Sequence, residues 1–339
     1  MVHDIGVHFL RFVGLVQTDV YVYLVQPLLY RLHLMDYDED TYDALYWSVV
    51  GVLELTLTYV ILRPLEAWRP IEHWRDRKPL IADVWYTWIA KIGVVNALFF
   101  VWMQPVINHL ETWMTVHNIA TVNIDEILPG VTDKPIVSFL IYLVALDFLG
   151  YWYHRWQHRF GIWWELHAVH HSQRQMSLWN DDRNHFLDEI VQTALFTFVG
   201  LFIGAQPGQF VVLVALGNTL QAIQHVNARL PYGSLLERIL VSPSFHRRHH
   251  AIEYGHTGVA YGCNFGVLFP WWDMLFRTAS WETTLEPTGI SDQIGTHIRT
   301  GRDYGKGVWM QQWLALSRIG ARVGLSVEKH LNSKLTRSN

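Results

Sequence analysis

Long apolar stretches alternate with short polar segments along this chain, and several stretches are long enough to cross a bilayer. A transmembrane helix needs about 20 mostly apolar residues. The clearest stretch is Ile136–Tyr153, followed by Ala44–Leu62 and Val84–Ile107. The shorter or interrupted stretches are His8–Tyr30, Leu187–Gly204 and Gln209–Gln224, the last two forming a predicted hairpin. The pattern predicts an all-α, multi-pass membrane helix bundle of about four to six spans.

The composition agrees with a membrane protein. Half of the 339 residues are hydrophobic, 17 are tryptophan, and only 17% are charged, whereas soluble domains carry about 25% charge. Tryptophan is enriched at membrane–water interfaces. The net charge of −4 gives no electrostatic reason to expect nucleic acid as a partner. The single cysteine, Cys263, excludes an intrachain disulfide and a thiolate metal site.

The distribution of basic residues predicts one orientation in the membrane. Five of them lie between the second and third apolar stretches: Arg63, Arg69, Arg75, Arg77 and Lys78. The positive-inside rule places this loop, and the segment after Tyr153, in the cytoplasm. The C-terminal residues Thr336–Asn339 carry no endoplasmic-reticulum retrieval signal, so we expect a bacterial inner membrane rather than the endoplasmic reticulum.

Three tight sets of histidines follow or adjoin the apolar stretches. They are His154 and His158; His167, His170 and His171; and His246, His249 and His250. Residues at i, i+3 and i+4 share one face of a helix, so each set can direct its imidazoles to a common point. Two single histidines, His185 and His225, lie close to the predicted hairpin and complete a predicted set of ten metal ligands. The no-metal interpretation is disfavoured because crowded protonated imidazoles repel each other.

The number of imidazoles indicates two metal ions. Zinc, iron, copper and nickel all accept nitrogen ligands, but a catalytic zinc needs only three protein ligands. A pair of irons beside a membrane is suited to activating O2. Asp147 lies two helical turns before His154, and we expect it to accept the second N–H of a metal-binding imidazole. With Asn227 and Asn264, Asp147 completes the candidate catalytic residues.

Residues 140–280 resemble the fatty acid hydroxylase superfamily, which includes sterol desaturases and sterol C4-methyl oxidases. The family motifs H-x3-H, H-x2-HH and a second H-x2-HH match the three histidine sets, and further family histidines fall on His185 and His225. The family's acidic residue falls on Asp188, and its Asn-aromatic-Gly and Trp-Asp motifs match Asn264–Gly266 and Trp272–Asp273. Acyl-chain hydroxylases of the family have a further histidine where this chain has Gln221.

The resemblance implies an integral-membrane, non-haem di-iron oxygenase that acts on lipids. Its cofactors would be two Fe ions, with O2 as co-substrate, and the dimetal site would lie in a cytoplasmic helical cap. The reaction would be hydroxylation of a C–H bond in a membrane lipid, with desaturation or ether-lipid cleavage as alternatives on the same site. Because no flavin, haem or iron–sulfur motif is visible, a reductase or small electron carrier would supply electrons. Arg155, Arg247 and Arg248 are candidate docking charges or membrane anchors.

Two interpretations of another class remain open, a membrane haem protein and a metal transporter. Haem ligation needs histidines deep within spans, whereas these sets lie at span ends. A transport path needs polar residues along several spans. The apolar stretches contain few charged residues, namely Asp19, Glu54, Lys91 and Asp147. The predicted organisation is an N-terminal membrane region (1–135), a catalytic region (136–280) and a C-terminal cytoplasmic or interfacial tail (281–339).

Overall fold

The computed structural model describes residues 2–119, 127–131, 134–203, 207–252, 261–282, 284–290 and 304–335. These residues are mostly helical and form no strand; Ala251 and Thr288 make one isolated antiparallel bridge. The predicted all-α class is therefore confirmed. The helices, in chain order, are α1 (Val2–Val20), α2 (Gln26–Leu32), α3 (Asp38–Trp68), α4 (Leu80–Lys91), α5 (Val94–Val116), α6 (Pro135–Arg159), α7 (Gly161–His171), α8 (Phe186–Phe202), α9 (Pro207–His225), α10 (Gly233–Leu236), α11 (Pro243–His249), α12 (Trp271–Leu275) and α13 (Val308–Leu335).

Three helical segments among the described residues are long and apolar enough to cross a membrane. They are Arg11–Leu32, Thr41–Trp68 and Pro135–Arg159. These segments indicate a membrane protein, while the expected total of four to six spans stays a prediction. The two helices of the expected hairpin are present as α8 and α9. Residues 204–206 between them lie outside the described residues, and the hairpin itself stays a prediction.

The expectation of one continuous helix over Val84–Ile107 is wrong. The chain forms α4 and α5 instead, with a break at Gly93. Gly93 has a φ of 75°, in the left-handed region that glycine adopts at little cost and that ends a helix. Apolar composition did not reveal the break, because apolar residues continue on both sides of the Lys91–Gly93 segment.

The chain divides into two compact units. The first contains Met1–Ile61 and Trp88–Ala120, and the second contains Leu62–Thr87 and Thr121–Asn339. Within the first unit, two of the charges that interrupt the predicted spans pair with each other, because Lys91 Nζ lies 3.1 Å from Glu54 Oε1. Both side chains are largely shielded from solvent, so each charge satisfies the other in apolar surroundings. The predicted regions 1–135, 136–280 and 281–339 stay a prediction.

The second unit contains every histidine set. Its core is formed by Tyr142, Leu143 and Leu146 of α6 with Leu213 of α9 and with Leu268 and Phe269 of a following loop. Burial of each such side chain contributes about 1.5–3 kcal/mol. Helix α6 also packs against α7, α9 against α11, and α7 against α13. The core thus holds together the four helices that carry the histidines.

Candidate metal centre

Nine histidines from four helices converge in two adjacent groups. The five-histidine group consists of His154, His158, His167, His171 and His249, and the four-histidine group consists of His170, His225, His246 and His250. Within each group, one ring nitrogen per histidine lies within 4.8 Å of the corresponding nitrogen of every other member. The structure therefore brings together nine of the ten predicted ligands.

Helical spacing explains how one element contributes to both groups. On α7, His167 and His171 enter the five-histidine group, whereas His170 points to the four-histidine group. Adjacent residues of a helix point about 100° apart, so the neighbours His170 and His171 face different centres. His249 and His250 at the end of α11 divide in the same way. Each of the two H-x2-HH motifs therefore supplies histidines to both groups.

A local cap fixes where α11 begins. Ser242 precedes the helix, and its Oγ accepts a hydrogen bond from the backbone N–H of Phe245 at 3.2 Å. Pro243 occupies the first turn, where its fixed φ favours the helix and its missing N–H costs nothing. The start of α11 sets the direction of the histidines that follow within two turns.

Several imidazole nitrogens face each other at the separation expected of ligands on a shared metal. The Nε2 atom of His225 lies 3.0 Å from Nε2 of His246 and 3.3 Å from Nε2 of His170. His249 Nε2 lies 3.1 Å from His171 Nε2. Two nitrogens bonded to one metal at about 2.1 Å each, with right or tetrahedral angles, are about 3.0–3.4 Å apart. The donor sets thus fit metal ions, one in each group.

Burial keeps these imidazoles neutral. The pKa values of His170, His171, His246 and His250 all lie well below the ordinary 6.5, first because burial disfavours the charged ring and then because neighbouring imidazoles repel a second charge. Neutral imidazole is the form that binds metal. The Nε2 atoms of His154 and His167 are buried without a hydrogen-bond partner, a costly arrangement that a bound metal would relieve.

Backbone carbonyls orient two rings of the five-histidine group. Nδ1 of His154 lies 3.0 Å from the carbonyl oxygen of Phe265, and Nδ1 of His249 lies 2.7 Å from that of Cys263. A carbonyl oxygen only accepts, so both Nδ1 atoms carry the proton and Nε2 is the ligand atom. Asn264 stands between the two carbonyls, in the left-handed region at φ 59°. Its amide donates to the carbonyl oxygens of Phe245 and Ser280 at 2.9 and 3.0 Å.

Two buried aspartates hold the loop that supplies these carbonyls. Asp273 accepts from the backbone N–H groups of Phe265 and Gly266 at 2.8 and 2.6 Å. Asp147 accepts from the backbone N–H of Leu268 at 2.7 Å and from the indole of Trp272 at 2.8 Å. The expected contact of Asp147 with an imidazole is therefore wrong, because its oxygens face the loop. Both aspartates act on the site by fixing this loop.

Asp188, rather than Asp147, lies beside a clustered imidazole, at a distance longer than a hydrogen bond. Its Oδ2 lies 3.6 Å from Nδ1 of His167, and the carboxylate accepts hydrogen bonds of 2.7 Å from Tyr153, Gln157 and Trp163. Burial alone would raise the pKa of Asp188, but the hydrogen bonds from these groups and the interaction with His167 outweigh it and hold the pKa below 3.8. Asp188 is thus a permanent acceptor beside His167. The family motif marked its position, but its partners are distant in sequence.

His185 does not join either histidine group. Its Nε2 lies 3.1 Å from the carbonyl oxygen of Gln312, and its Nδ1 accepts from the backbone N–H of Leu187 at 3.1 Å. Both ring nitrogens are therefore used at the start of α8, and the structure does not support His185 as a ligand. A ring that accepts at Nδ1 must donate at Nε2, so His185 is neutral and links α8 to α13.

Asn227 and Asn264, expected to be catalytic, bind backbone instead. Asn227 accepts from the backbone N–H of Glu72 at 3.0 Å and donates to its carbonyl oxygen at 2.8 Å. Its own backbone N–H donates to Glu66 Oε1 at 3.0 Å. These bonds tie the chain just after His225 to the segment that follows α3. The geometry gives both asparagines a positioning role.

The expected docking charges Arg247 and Arg248 are buried. Arg247 Nη2 lies 2.7 Å from Glu72 Oε2, and Arg248 Nη2 lies 2.5 Å from Glu282 Oε2. Both residues are at least nine-tenths buried, so they stabilise the surroundings of α11 and do not face a partner. Arg155 remains partly exposed and lies over the ring of Trp152 at 5.3 Å.

Comparisons with known proteins agree with this arrangement. Residues 139–278 match the fatty acid hydroxylase family, and all nine clustered histidines lie within that segment. An ornithine lipid hydroxylase of Rhizobium tropici is 30% identical over 136 residues, which cover 40% of each chain. The human alkylglycerol monooxygenase is 27% identical over 183 residues, covering 53% of this chain and 39% of that protein. A Delta(7)-sterol 5(6)-desaturase of Gibberella zeae is 25% identical over 169 residues, covering 50% and 48%.

The matched regions therefore span less than half of the length of each of these three relatives. No solved structure shows significant similarity to the chain. The resemblance to the fatty acid hydroxylase superfamily, predicted from the histidine motifs, is confirmed for the segment that carries them.

Proposed function

We propose that this protein, whose residues 139–278 form a fatty acid hydroxylase region, inserts oxygen from O2 into a C–H bond of a membrane lipid. The observation that supports this proposal most directly is the pair of histidine groups, which offer five and four ring nitrogens in adjacent positions. Each group would hold one iron. The pair of irons would supply reductive activation of O2 and the attack on the C–H bond, chemistry that belongs to the metal rather than to the protein.

The chain's own contribution is to place and shield these ligands. Phe265 and Cys263 orient two imidazoles through their carbonyl oxygens, and the Asp188 carboxylate lies 3.6 Å from a third. All nine histidines except His154 are at most 7% exposed, and His154 is partly exposed. Exclusion of water protects a strong oxidant from side reactions. His154 marks the side on which the five-histidine group is more open.

The lipid substrate is inferred from the relatives and the membrane helices together. Ornithine lipid hydroxylase, alkylglycerol monooxygenase and sterol desaturase all act on lipids by name, and three helical segments of this chain can cross a bilayer. Hydroxylation is the reaction we favour, with desaturation and ether-lipid cleavage as alternatives. In hydroxylation, one oxygen atom enters the C–H bond and the other leaves as water, which consumes two electrons and two protons.

The two electrons would come from a separate reductase or electron carrier. We place the metal site on the cytoplasmic side, because the basic loop between the second and third apolar stretches and the segment after Tyr153 predict that orientation. We place the protein in a bacterial inner membrane. The partly exposed Arg155 is the remaining candidate for contact with an acidic electron donor.

The test is lipid analysis of cells that express the protein or its His250→Ala variant, grown with ¹⁸O2. Because His250 belongs to the four-histidine group, the variant should lose the product. We expect a lipid that gains one labelled oxygen atom only with the intact protein. A product that lacks two hydrogens would indicate desaturation, and a labelled aldehyde would indicate ether cleavage. If the purified, folded protein retained no iron and no lipid changed, the proposal would be rejected in favour of a haem or transport function.

A further inference from the structure

Helix α13 buries two glutamines against the protein, beside Val308 and Ala315, and turns two tryptophans outwards. Gln311 and Gln312 are 4% and 7% exposed, whereas Trp309 and Trp313 are 74% and 68% exposed. A helix on the surface of a soluble protein shows the opposite arrangement, with its apolar stripe against the core. Two large tryptophan side chains on the outer face, opposite buried glutamines, favour an environment less polar than water.

The inner face of α13 is fixed by polar contacts with the second unit. The side chain of Gln312 donates to Tyr86 Oη at 3.0 Å and accepts from the backbone N–H of Phe186 at 2.9 Å. One turn and a half later, Arg318 Nε lies 3.0 Å from Oε2 of Glu165, and Arg322 Nε lies 3.0 Å from Oε1 of the same carboxylate. These contacts set the rotation of the helix, so the tryptophans are held outwards.

Along the length for which side chains are described, the polar residues of the outer face are Ser317 and Arg322. The exposed members of this face between 308 and 324, apart from Arg322, are Trp309, Met310, Trp313, Leu316, Ser317, Gly320, Ala321, Val323 and Gly324. Arg322 is half exposed, but its guanidinium turns inwards to Glu165. An uncharged stripe with two tryptophans is typical of a helix that lies in the membrane interface.

Helix α13 packs against the chain just beyond the end of a candidate membrane span. The segment Pro135–Arg159 is long and apolar enough to cross a bilayer, and Gly161 follows two residues after its end. A Cβ on Gly161 would lie only 2.6 Å from Nη1 of Arg322, so α13 packs directly against that point. Phe160 and Ile162, on either side of Gly161, are 52% and 51% exposed. Exposed apolar side chains therefore flank the point at which α13 packs against the end of the span.

We propose that α13 lies in the plane of the membrane, with Trp309, Trp313 and Leu316 inserted between lipid headgroups and acyl chains. The occupant of the outer face is the lipid bilayer itself. Because Glu165 belongs to α7, the same helix that carries His167, His170 and His171, its ion pairs with Arg318 and Arg322 connect the membrane surface to the histidine groups. This inference does not depend on the reaction that the histidines catalyse.

Site-directed spin labelling tests the position of the helix. Cys263, the native cysteine, is buried, so a nitroxide can be attached to single introduced cysteines at Trp313→Cys and, as a second site, Leu316→Cys. The full chain is reconstituted in phosphatidylcholine nanodiscs, and power saturation compares accessibility to O2, which enters bilayers, with a polar nickel chelate, which does not. Arg174→Cys is the matched control, because Arg174 is exposed in the loop after α7.

We expect the ratio of oxygen to nickel accessibility to be several-fold higher at both α13 sites than at position 174. Equal ratios at the three positions would overturn the proposal, because α13 would then face water. Low accessibility to both reagents, together with dipolar broadening between labels, would also overturn it and would indicate a second copy of the chain on this face. As a further control, the native chain, which has no introduced cysteine, is treated with the same spin-label reagent. Any signal from it reports labelling of Cys263.

Discussion

At the scale of single residues, Asp188 and Asp147 are both buried carboxylates that accept hydrogen bonds from three donor groups. Of the two, Asp188 is the one that lies beside an imidazole. Asp188→Asn removes the charge next to His167 and replaces one acceptor oxygen by a donor that conflicts with Tyr153, Gln157 or Trp163. Loss of such an outer partner typically lowers metal affinity roughly 10–100-fold. We expect that loss for Fe(II), measured by competition with a chromogenic chelator.

Asp147→Asn is the matched control for this prediction. It introduces the same conflict with the donors Leu268 and Trp272, and it should therefore lower stability to a similar degree. Because Asp147 acts on the site only by fixing the loop and does not lie beside a histidine, this variant should lose less iron affinity than Asp188→Asn. An equal loss of affinity in both variants would show that Asp188 acts through general destabilisation rather than through His167.

At the scale of elements, the C-terminal end of α7 depends on a buried ion pair. Arg183 Nη1 lies 2.5 Å from Asp83 Oδ1, and its other nitrogens donate to Val169 O at 2.8 Å and to Ser172 Oγ at 2.9 Å. These last two residues flank His170 and His171. Asp83→Ala would leave a buried, unpaired guanidinium, which costs about 3–5 kcal/mol. We expect a clear fall in the apparent melting temperature of the purified protein in detergent.

The double variant Asp83→Leu with Arg183→Met separates charge from packing. Replacing both charged groups by apolar ones of similar size is often close to neutral, so the double variant should melt at a higher temperature than Asp83→Ala. A double variant that is less stable than the single one would contradict the ion-pair explanation. It would instead show that the bonds of Arg183 to Val169 and Ser172 carry most of the stabilisation.

The sequence predicted the histidine-bearing elements because their signal is local. Spacings of three and four residues on α6, α7 and α11 follow directly from helical geometry, and nine of the ten expected ligands converge. The roles of Asp147, Asn227 and His185 could not be predicted in this way. Each is decided by backbone groups more than 80 residues away, such as those of Leu268, Glu72 and Gln312. The roles of the Cys263 and Phe265 carbonyls could not be predicted from residue type, because every residue has a backbone carbonyl.

At the scale of the whole molecule, the histidine groups make the stability of the second unit sensitive to acid. Four histidines, His170, His171, His246 and His250, have pKa values well below the 6.5 of an unfolded chain. Below pH 6.5 the unfolded state takes up protons that the folded state refuses, so stability falls as the pH falls. Each of these histidines changes the free energy of unfolding by up to about 1.4 kcal/mol per pH unit. The four together change it by up to about 5 kcal/mol per pH unit.

We therefore expect the apparent melting temperature of the iron-free protein, prepared with a chelator, to fall steeply between pH 6.5 and pH 5. Between pH 7 and pH 8 the melting temperature should change little. Loading with Fe(II) should move the onset of this loss to lower pH, because bound metal and protons compete for the same nitrogens. Circular dichroism melts at half-unit pH steps, with and without iron, measure both effects. A melting temperature that stays constant down to pH 5 in the chelated protein would mean that these imidazoles are already protonated in the fold. Two closely adjoining groups of neutral ligands would then not exist.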